Sequence, residues 1–358
     1  MKTFNFSAGP AMLPAEVMKI AQAEFCNYDN TGSGIMELSH RGKQFSAVIE
    51  QAEANIRKLM NISDDYAVIF VQGGASMQFA MIPMNLMLPG QGADYADTGT
   101  WSAKAAKEAQ RFGPVNFCAS SKATNYDRIP VIRHWKLSDN PSYIHITSNN
   151  TVAGTQYHSF PDTGDVPLIA DMSSDIMSHE IDINQFGMIY AGAQKNLGPS
   201  GMALVIMRKD LAERAGDIPT MLNYNTYIDK DSMFNTPPTF AIYMLKLNTD
   251  WMLAQGGIEK IEKINDMKSE ALYELIDRSD FYRSPVDGGS RSRMNVVFRL
   301  PSEDLEAKFV KEATDEGLTS LKGHRSVGGI RASIYNAMPL AGVETLIDFM
   351  IEFEKKNG

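Results

Sequence analysis

The chain has 358 residues, more than the roughly 250–300 at which a single hydrophobic core stops growing, so two lobes are expected. Hydrophobic residues make up 44% and charged residues 22%, which excludes a disordered chain. The formal net charge of −9, from 34 Lys plus Arg against 43 Asp plus Glu, argues against nucleic acid as a partner and makes any local Arg/His cluster informative.

The opening MKTFNFSAGPAMLP lacks the uninterrupted apolar core of a secretory signal, and no run approaches the ~18 apolar residues of a membrane span. A cytoplasmic protein without a membrane partner is expected. Residues 46–60, SAVIEQAEANIRKLM, place Val48, Ile49, Ala52, Ile56 and Leu59 near a 3.6-residue period and predict a helix. The run YAVIFV then reads as a central parallel strand, apolar on both faces, and ends in QGGAS before MQFAMIPMNLM resumes a helical pattern. The theme recurs in GADYADTG with a helix from Trp101 to Phe112, in SYIHITSNN followed by TVAGTQ, and in VPLIADMSSD, FGMIYAGAQKN and MALVIM. Short apolar strands alternating with helices predict an α/β fold around a mostly parallel sheet, with ligands beyond the carboxyl ends of the strands.

After about residue 255 the rhythm changes. A long helix in GGIEKIEKINDMKSEALYELIDRS precedes the strand RMNVVFRL, a helix in EDLEAKFVKEATDEG, the strand GGIRASIY and a closing helix through VETLIDFMIEFEKK. This pattern predicts a smaller α+β lobe.

Four elements gather where strand ends should meet. Gln72-Gly73-Gly74-Ala75-Ser76 opens a helix directly after a strand, which suits either a phosphate cup or an ordinary tight turn, and it lacks the GxGxxG of a dinucleotide site. Asp171 ends the strand VPLIAD, as a helix N-cap or as a functional carboxylate. Lys195 follows 24 residues later, a spacing that allows one crossover and places both groups on neighbouring strand ends. Trp101, after the loop DTGT, could stack on a flat ring or pack in the core. Together they supply the parts that pyridoxal phosphate needs: a lysine for the Schiff base, an acid to keep the pyridine nitrogen protonated, a phosphate cup and a stacking ring. The two cysteines, Cys26 and Cys118, lack CxxC spacing, and the six histidines lack the spacing of metal ligands, so neither a disulfide nor a protein-bound metal is expected.

FNFSAGPAMLP, ELSHRGKQF, GAQKNLGPSG and GHRSVGGIRASIYNA together resemble the phosphoserine aminotransferase family, over essentially the whole chain. The resemblance implies a class V aminotransferase of fold type I, with a large pyridoxal-phosphate-binding domain at 15–255 and a small domain formed by 1–14 and 256–358. It also implies a homodimer with shared active sites. Lys195 would be the Schiff-base lysine, Asp171 the pyridinium partner and Trp101 the stacking ring. Thr151 would bond near the ring hydroxyl, while Ala75, Ser76 and Gln194 would hold the phosphate. Ser76 stands where some members carry arginine, which would make this cup less cationic. Asn235 and Thr236, in FNTPP, would reach the phosphate of the neighbouring subunit's cofactor.

The basic residues point to the substrate. Arg331 would grip the α-carboxylate with Ser7 nearby, whereas His40, Arg41, His324 and Arg325 would form a pocket for a side-chain phosphate or for the γ-carboxylate of glutamate. The implied reaction is ping-pong transfer of an amino group from L-glutamate to 3-phosphohydroxypyruvate, giving 2-oxoglutarate and O-phospho-L-serine. Some members also act on a longer phosphorylated keto acid of pyridoxine synthesis. Other enzymes of the fold remain alternatives: a glyoxylate aminotransferase would have no use for two His-Arg pairs, and a cysteine desulfurase would need a cysteine in a catalytic loop. A catalytically silent binding protein would be marked by loss of Lys195 or Asp171, and both are present.

Overall fold

The structure is a computed structural model, and it describes residues 3–358. Seven strands build the main sheet: β1 (Tyr66–Gln72), β2 (Ala93–Asp97), β3 (Val115–Ser120), β4 (Ile144–Thr147), β5 (Leu168–Asp171), β6 (Met188–Gly192) and β7 (Met202–Arg208). Their order across the sheet is β1-β7-β6-β5-β4-β2-β3, and every pairing is parallel except those of β7, which runs antiparallel to both neighbours. The sheet is thus the mostly parallel one that the sequence predicts, but YAVIFV, expected as a central parallel strand, is β1 at one edge, paired antiparallel with β7 and apolar because helices cover both its faces.

Burial on both faces explains why β1, β4, β5, β6 and β7 read as largely apolar runs. Along β1, Val68 and Phe70 join one core, with helices α1 (Ala15–Glu24), α2 (Lys43–Met60) and α3 (Thr239–Ala254); Ala67, Ile69 and Val71 join the opposite one. That second core holds the helix Gly74–Leu86, which leaves β1 at once, and the helix Thr100–Ala109. The first helix expected from periodicity begins three residues earlier than its apolar pattern, at Lys43, and the one expected to reach Phe112 ends at Ala109.

A third core lies apart from the sheet. It joins Phe4 and Phe6 to Phe298, Phe309, Phe349 and Phe353, under helices α4 (Ile258–Arg278), α5 (Glu303–Asp315) and α6 (Leu340–Asn357). Its strands are Asn295–Phe298 and Ile330–Ser333, paired antiparallel so that Arg331 faces Val297. Phe4–Asn5 pairs with Leu318–Thr319, which draws the amino-terminal segment into this part of the molecule. Among the described residues, no helix is long and apolar enough to cross a membrane.

Candidate active site

The carboxyl ends of β5 and β6 converge on a cavity of about 580 Å³. Asp171 is the last residue of β5, and Lys195 lies three residues past the end of β6, so the parallel pairing of these strands brings acid and amine to one wall. Lys195 Nζ donates to Thr151 Oγ1 at 3.0 Å. Burial pulls the lysine down to about 8, opposed by the negative charges of Asp171 and Asp175 and assisted by Arg331.

Asp171 is itself buried, which raises its pKa; the backbone N–H (2.9 Å) and hydroxyl (2.6 Å) of Ser173 favour the ionised form by donating to Oδ1. Behind it, Tyr190 faces Asp171 across the β5–β6 pair, and its hydroxyl lies 2.9 Å from His145 Nε2. Burial drives His145 down to about 3, so it stays neutral and adds no second cation.

The turn after β1 supplies a cup. Gly73 takes φ +91° and Gly74 φ +67°, conformations that suit glycine, and the helix Gly74–Leu86 starts there. Ala75 and Ser76 line the cavity with Gln194. Gly192 permits this arrangement, since a Cβ there would approach Gln194 Oε1 to 2.8 Å. Trp101 forms another wall, with Lys104 Nζ 4.3 Å from its ring centroid.

The amino-terminal segment covers the lysine. Ala8, Gly9 and Pro10 line the cavity, the backbone N–H of Ala11 donates to the Gln194 carbonyl at 2.8 Å, and a Cβ on Gly9 would lie 3.4 Å from Lys195 Cγ. From the third core come Arg331 and His324. Arg331 donates from Nη1 to the Thr151 carbonyl at 3.4 Å, while its buried Nε has no hydrogen-bond partner. His324 Nδ1 lies 2.7 Å from Ser326 Oγ, and burial together with Arg331, Arg325 and Lys104 lowers its pKa.

Nine of the residues selected from sequence therefore border one cavity. Six do not. Ser7 sits just outside it, its hydroxyl accepting from the Gly9 N–H at 3.3 Å, and Arg325 is exposed. Gln72 Nε2 donates to Asn235 Oδ1 (3.3 Å) and to the Thr236 carbonyl (3.1 Å), which holds FNTPP beside the strand that leads into the cup without opening it to the cavity. His40 and Arg41 line no part of the cavity either; His40 Nε2 is buried without a partner and Arg41 is exposed.

Sequence reading missed Asp175. Burial pushes this carboxyl up to about 7, and it accepts from Ser148 Oγ at 2.5 Å and Gln156 Nε2 at 3.3 Å. The second acid of ADMSSD, four residues after Asp171, was the available signal. Neither cysteine borders the cavity: Cys26 is exposed elsewhere, and burial on β3 raises the Cys118 thiol to about 12, which removes the support for a desulfurase.

The residues fit pyridoxal phosphate. A partly neutral amine faces the cavity, a buried carboxylate stands on the adjacent strand, a glycine turn opens a helix, and the unpartnered Nε of Arg331 is left for an anion. Fold and site define a pyridoxal-phosphate-dependent aminotransferase.

Comparison with known proteins agrees. Residues 3–346 match the aminotransferase class-V family. A phosphoserine aminotransferase from Desulfatibacillum aliphaticivorans is 56% identical over 357 residues, 99% of this chain and 98% of that protein. The structure of phosphoserine aminotransferase from Bacillus circulans subsp. alkalophilus superposes with a TM-score of 0.98 at 52% identity, covering 100% of this chain and 99% of that one. A PLP-bound phosphoserine aminotransferase from Trichomonas vaginalis gives 0.94 at 38% identity, over 98% of this chain and 100% of that one. The chain belongs to the phosphoserine aminotransferase family of class-V aminotransferases.

Proposed function

We propose that the chain catalyses the reversible transamination of L-glutamate and 3-phosphohydroxypyruvate to 2-oxoglutarate and O-phospho-L-serine. The observation that carries this reading is the placement of Lys195 and Asp171 on adjacent strand ends, facing a cavity that also holds Arg331 and His324. Bound pyridoxal phosphate supplies an electrophilic carbon for the amino group and an electron sink for the substrate's α-carbon.

The chain's own groups do the rest. Asp171, ionised beside the ring nitrogen, would keep that nitrogen protonated. Lys195, whose pKa burial lowers to about 8, would serve as the base that takes the substrate's α-proton and as the acid that gives it back. Thr151 fixes the direction of Nζ through its 3.0 Å bond. Arg331 offers Nε and its terminal nitrogens to the α-carboxylate, and the helix starting at Gly74 offers backbone N–H groups to a phosphate. His324, with Arg325 next to it, carries the preference for an anionic side chain.

The same reading places His40, Arg41, Asn235 and Thr236 at a second protomer's site. It is supported by their absence from this chain's cavity and by the orphaned Nε2 of His40. It divides the chain into a large domain, 15–255, and a small one formed by 1–14 and 256–358, in keeping with the separate aromatic core that Phe4 and Phe6 share with the carboxyl-terminal helices. It places the enzyme in the cytoplasm, where its substrates would be made.

The test is a half-reaction. The holoenzyme is titrated with O-phospho-L-serine in the absence of keto acid, and the visible absorbance of the bound cofactor is followed beside titrations with L-serine and L-alanine. Loss of the band at far lower phosphoserine than serine is expected. Equal response to all three amino acids would overturn the substrate assignment.

A further inference from the structure

Lys268 is fully buried, forms no salt bridge among the described residues, and has no part in the chemistry above. It lies on α4, and its Nζ donates to three carbonyls in one turn: Ile334 (2.9 Å), Tyr335 (2.9 Å) and Met338 (3.1 Å). Three acceptors match the three protons of an ammonium. Burial works against that charge and pulls the group down to about 7, so the turn is built around a costly cation.

This turn follows directly on the strand that carries Arg331, and it reaches the cavity by two more routes. The backbone N–H of Asn336 donates to Asn196 Oδ1 at 3.1 Å, and Asn196 is the residue after Lys195. Asn196 is pinned further by Ile176, whose carbonyl accepts from its Nδ2 at 3.1 Å, and by Asn248, whose Nδ2 donates to its carbonyl at 2.6 Å. On the other side, Tyr335 donates from its hydroxyl to the Ala8 carbonyl at 2.9 Å, in the segment that covers Lys195. Asn265, on the same helix as Lys268, donates to Asn336 Oδ1 at 2.9 Å and braces the turn from behind.

We propose that Lys268 is a positioning residue for the transamination, holding the turn Ile334–Met338 so that Arg331, Lys195 and the Ala8–Pro10 cover keep one fixed relation. The proposal rests on the reading of Lys195 and Arg331 given above. A lysine suits the task because one flexible stem reaches three carbonyls at once, which neither methionine nor leucine can bond.

Two variants of the holoenzyme test it. Lys268→Met removes all three bonds, while Asn196→Ala cuts the link between the turn and the lysine segment, together with the bond from Asn196 Nδ2 to the Ile176 carbonyl, and leaves the three Lys268 bonds in place. Both are expected to remain folded by circular dichroism and loaded with cofactor, with kcat lowered about tenfold and, in K268M, a raised KM for glutamate. The pH midpoint of the cofactor's visible absorbance should move by about half a unit in each. Amide exchange in residues 194–198 should quicken in K268M, and the double variant should be no worse than K268M alone, as expected of coupled groups.

Folded, loaded variants with unchanged kcat, KM and absorbance midpoint would overturn the proposal, as would fully additive losses in the double variant. If K268M does not fold, N196A decides alone, and a wild-type midpoint and kcat in that variant would reject the relay. The absorbance titration uses no substrate, so its outcome is separate from the question of which amino acid the enzyme prefers.

Discussion

Thr151 binds both ends of the chemistry: its hydroxyl accepts from Lys195 Nζ at 3.0 Å, and its carbonyl accepts from Arg331 Nη1 at 3.4 Å. The same residue therefore aims the amine and steadies the guanidinium proposed to bind the substrate's α-carboxylate. Thr151→Val keeps the shape and loses the hydroxyl. A hydrogen bond to a charged group contributes about 1.5–3 kcal/mol, so kcat should fall by about tenfold or more, with Thr151→Ser restoring most of it. Steady-state kinetics of the three proteins check this.

Capture of pyridoxal phosphate by the apoprotein should accelerate as pH rises through about 8, the value to which burial brings Lys195, because only the neutral amine attacks the aldehyde. Asp171 raises the lysine's pKa through its charge, so Asp171→Asn should move the midpoint of this profile to lower pH. The same variant should lose nearly all turnover, since nothing then holds the proton on the ring nitrogen. Stopped-flow absorbance across pH measures the first effect, and a transamination assay the second.

Arg331 and the His324-Arg325 pair should separate under mutation. Arg331→Ala is expected to raise KM for every amino acid, because all share the α-carboxylate. His324→Asn and Arg325→Ala should raise KM for O-phospho-L-serine by about 10–100-fold and leave the weak reaction with L-alanine almost unchanged, as each charge-assisted bond contributes about 1.5–3 kcal/mol. Half-reaction titrations with the two amino acids distinguish these outcomes.

Asp175 predicts a pH signature in stability. An unfolded chain releases this proton near pH ~4, whereas burial lets the fold keep it to about 7. Between those values the folded state binds the extra proton, so this group makes stability fall as pH rises, by about 1.4 kcal/mol per pH unit. Asp175→Asn removes the contribution. Its stability relative to the parent protein should therefore improve from pH 5 to pH 8, as read by urea unfolding at each pH.

The neighbouring placement of Asp171 and Lys195 was legible in the sequence because an unbroken apolar strand ends where the sheet gives way to a loop, and Asp171 closes one such run while the Lys195 turn follows another. The direction of β7 was not, since MALVIM is apolar in either orientation and only its pairings with Tyr66–Gln72 and Met188–Gly192 show it to be antiparallel. Strand β3 escaped notice for a different reason: as an edge strand it leaves Phe117 exposed, and VNFCAS carries no clear apolar run. Asp175 was hidden in a turn whose burial depends on contacts from Ser148 and Gln156, both distant in sequence. Lys268 looks like any other charge on α4 until the turn Ile334–Met338 closes over it.

The cover over Lys195 sets an order of events during synthesis. Ala8 precedes the whole sheet in the chain, yet its carbonyl is held by Tyr335, 327 positions later, and Phe4 pairs with Leu318. A nascent chain emerging from the ribosome can form the sheet and present Lys195 long before either anchor exists. The cavity gains this cover only after Tyr335 has been made, so a segment that precedes the sheet in the chain finds its place after the sheet has formed.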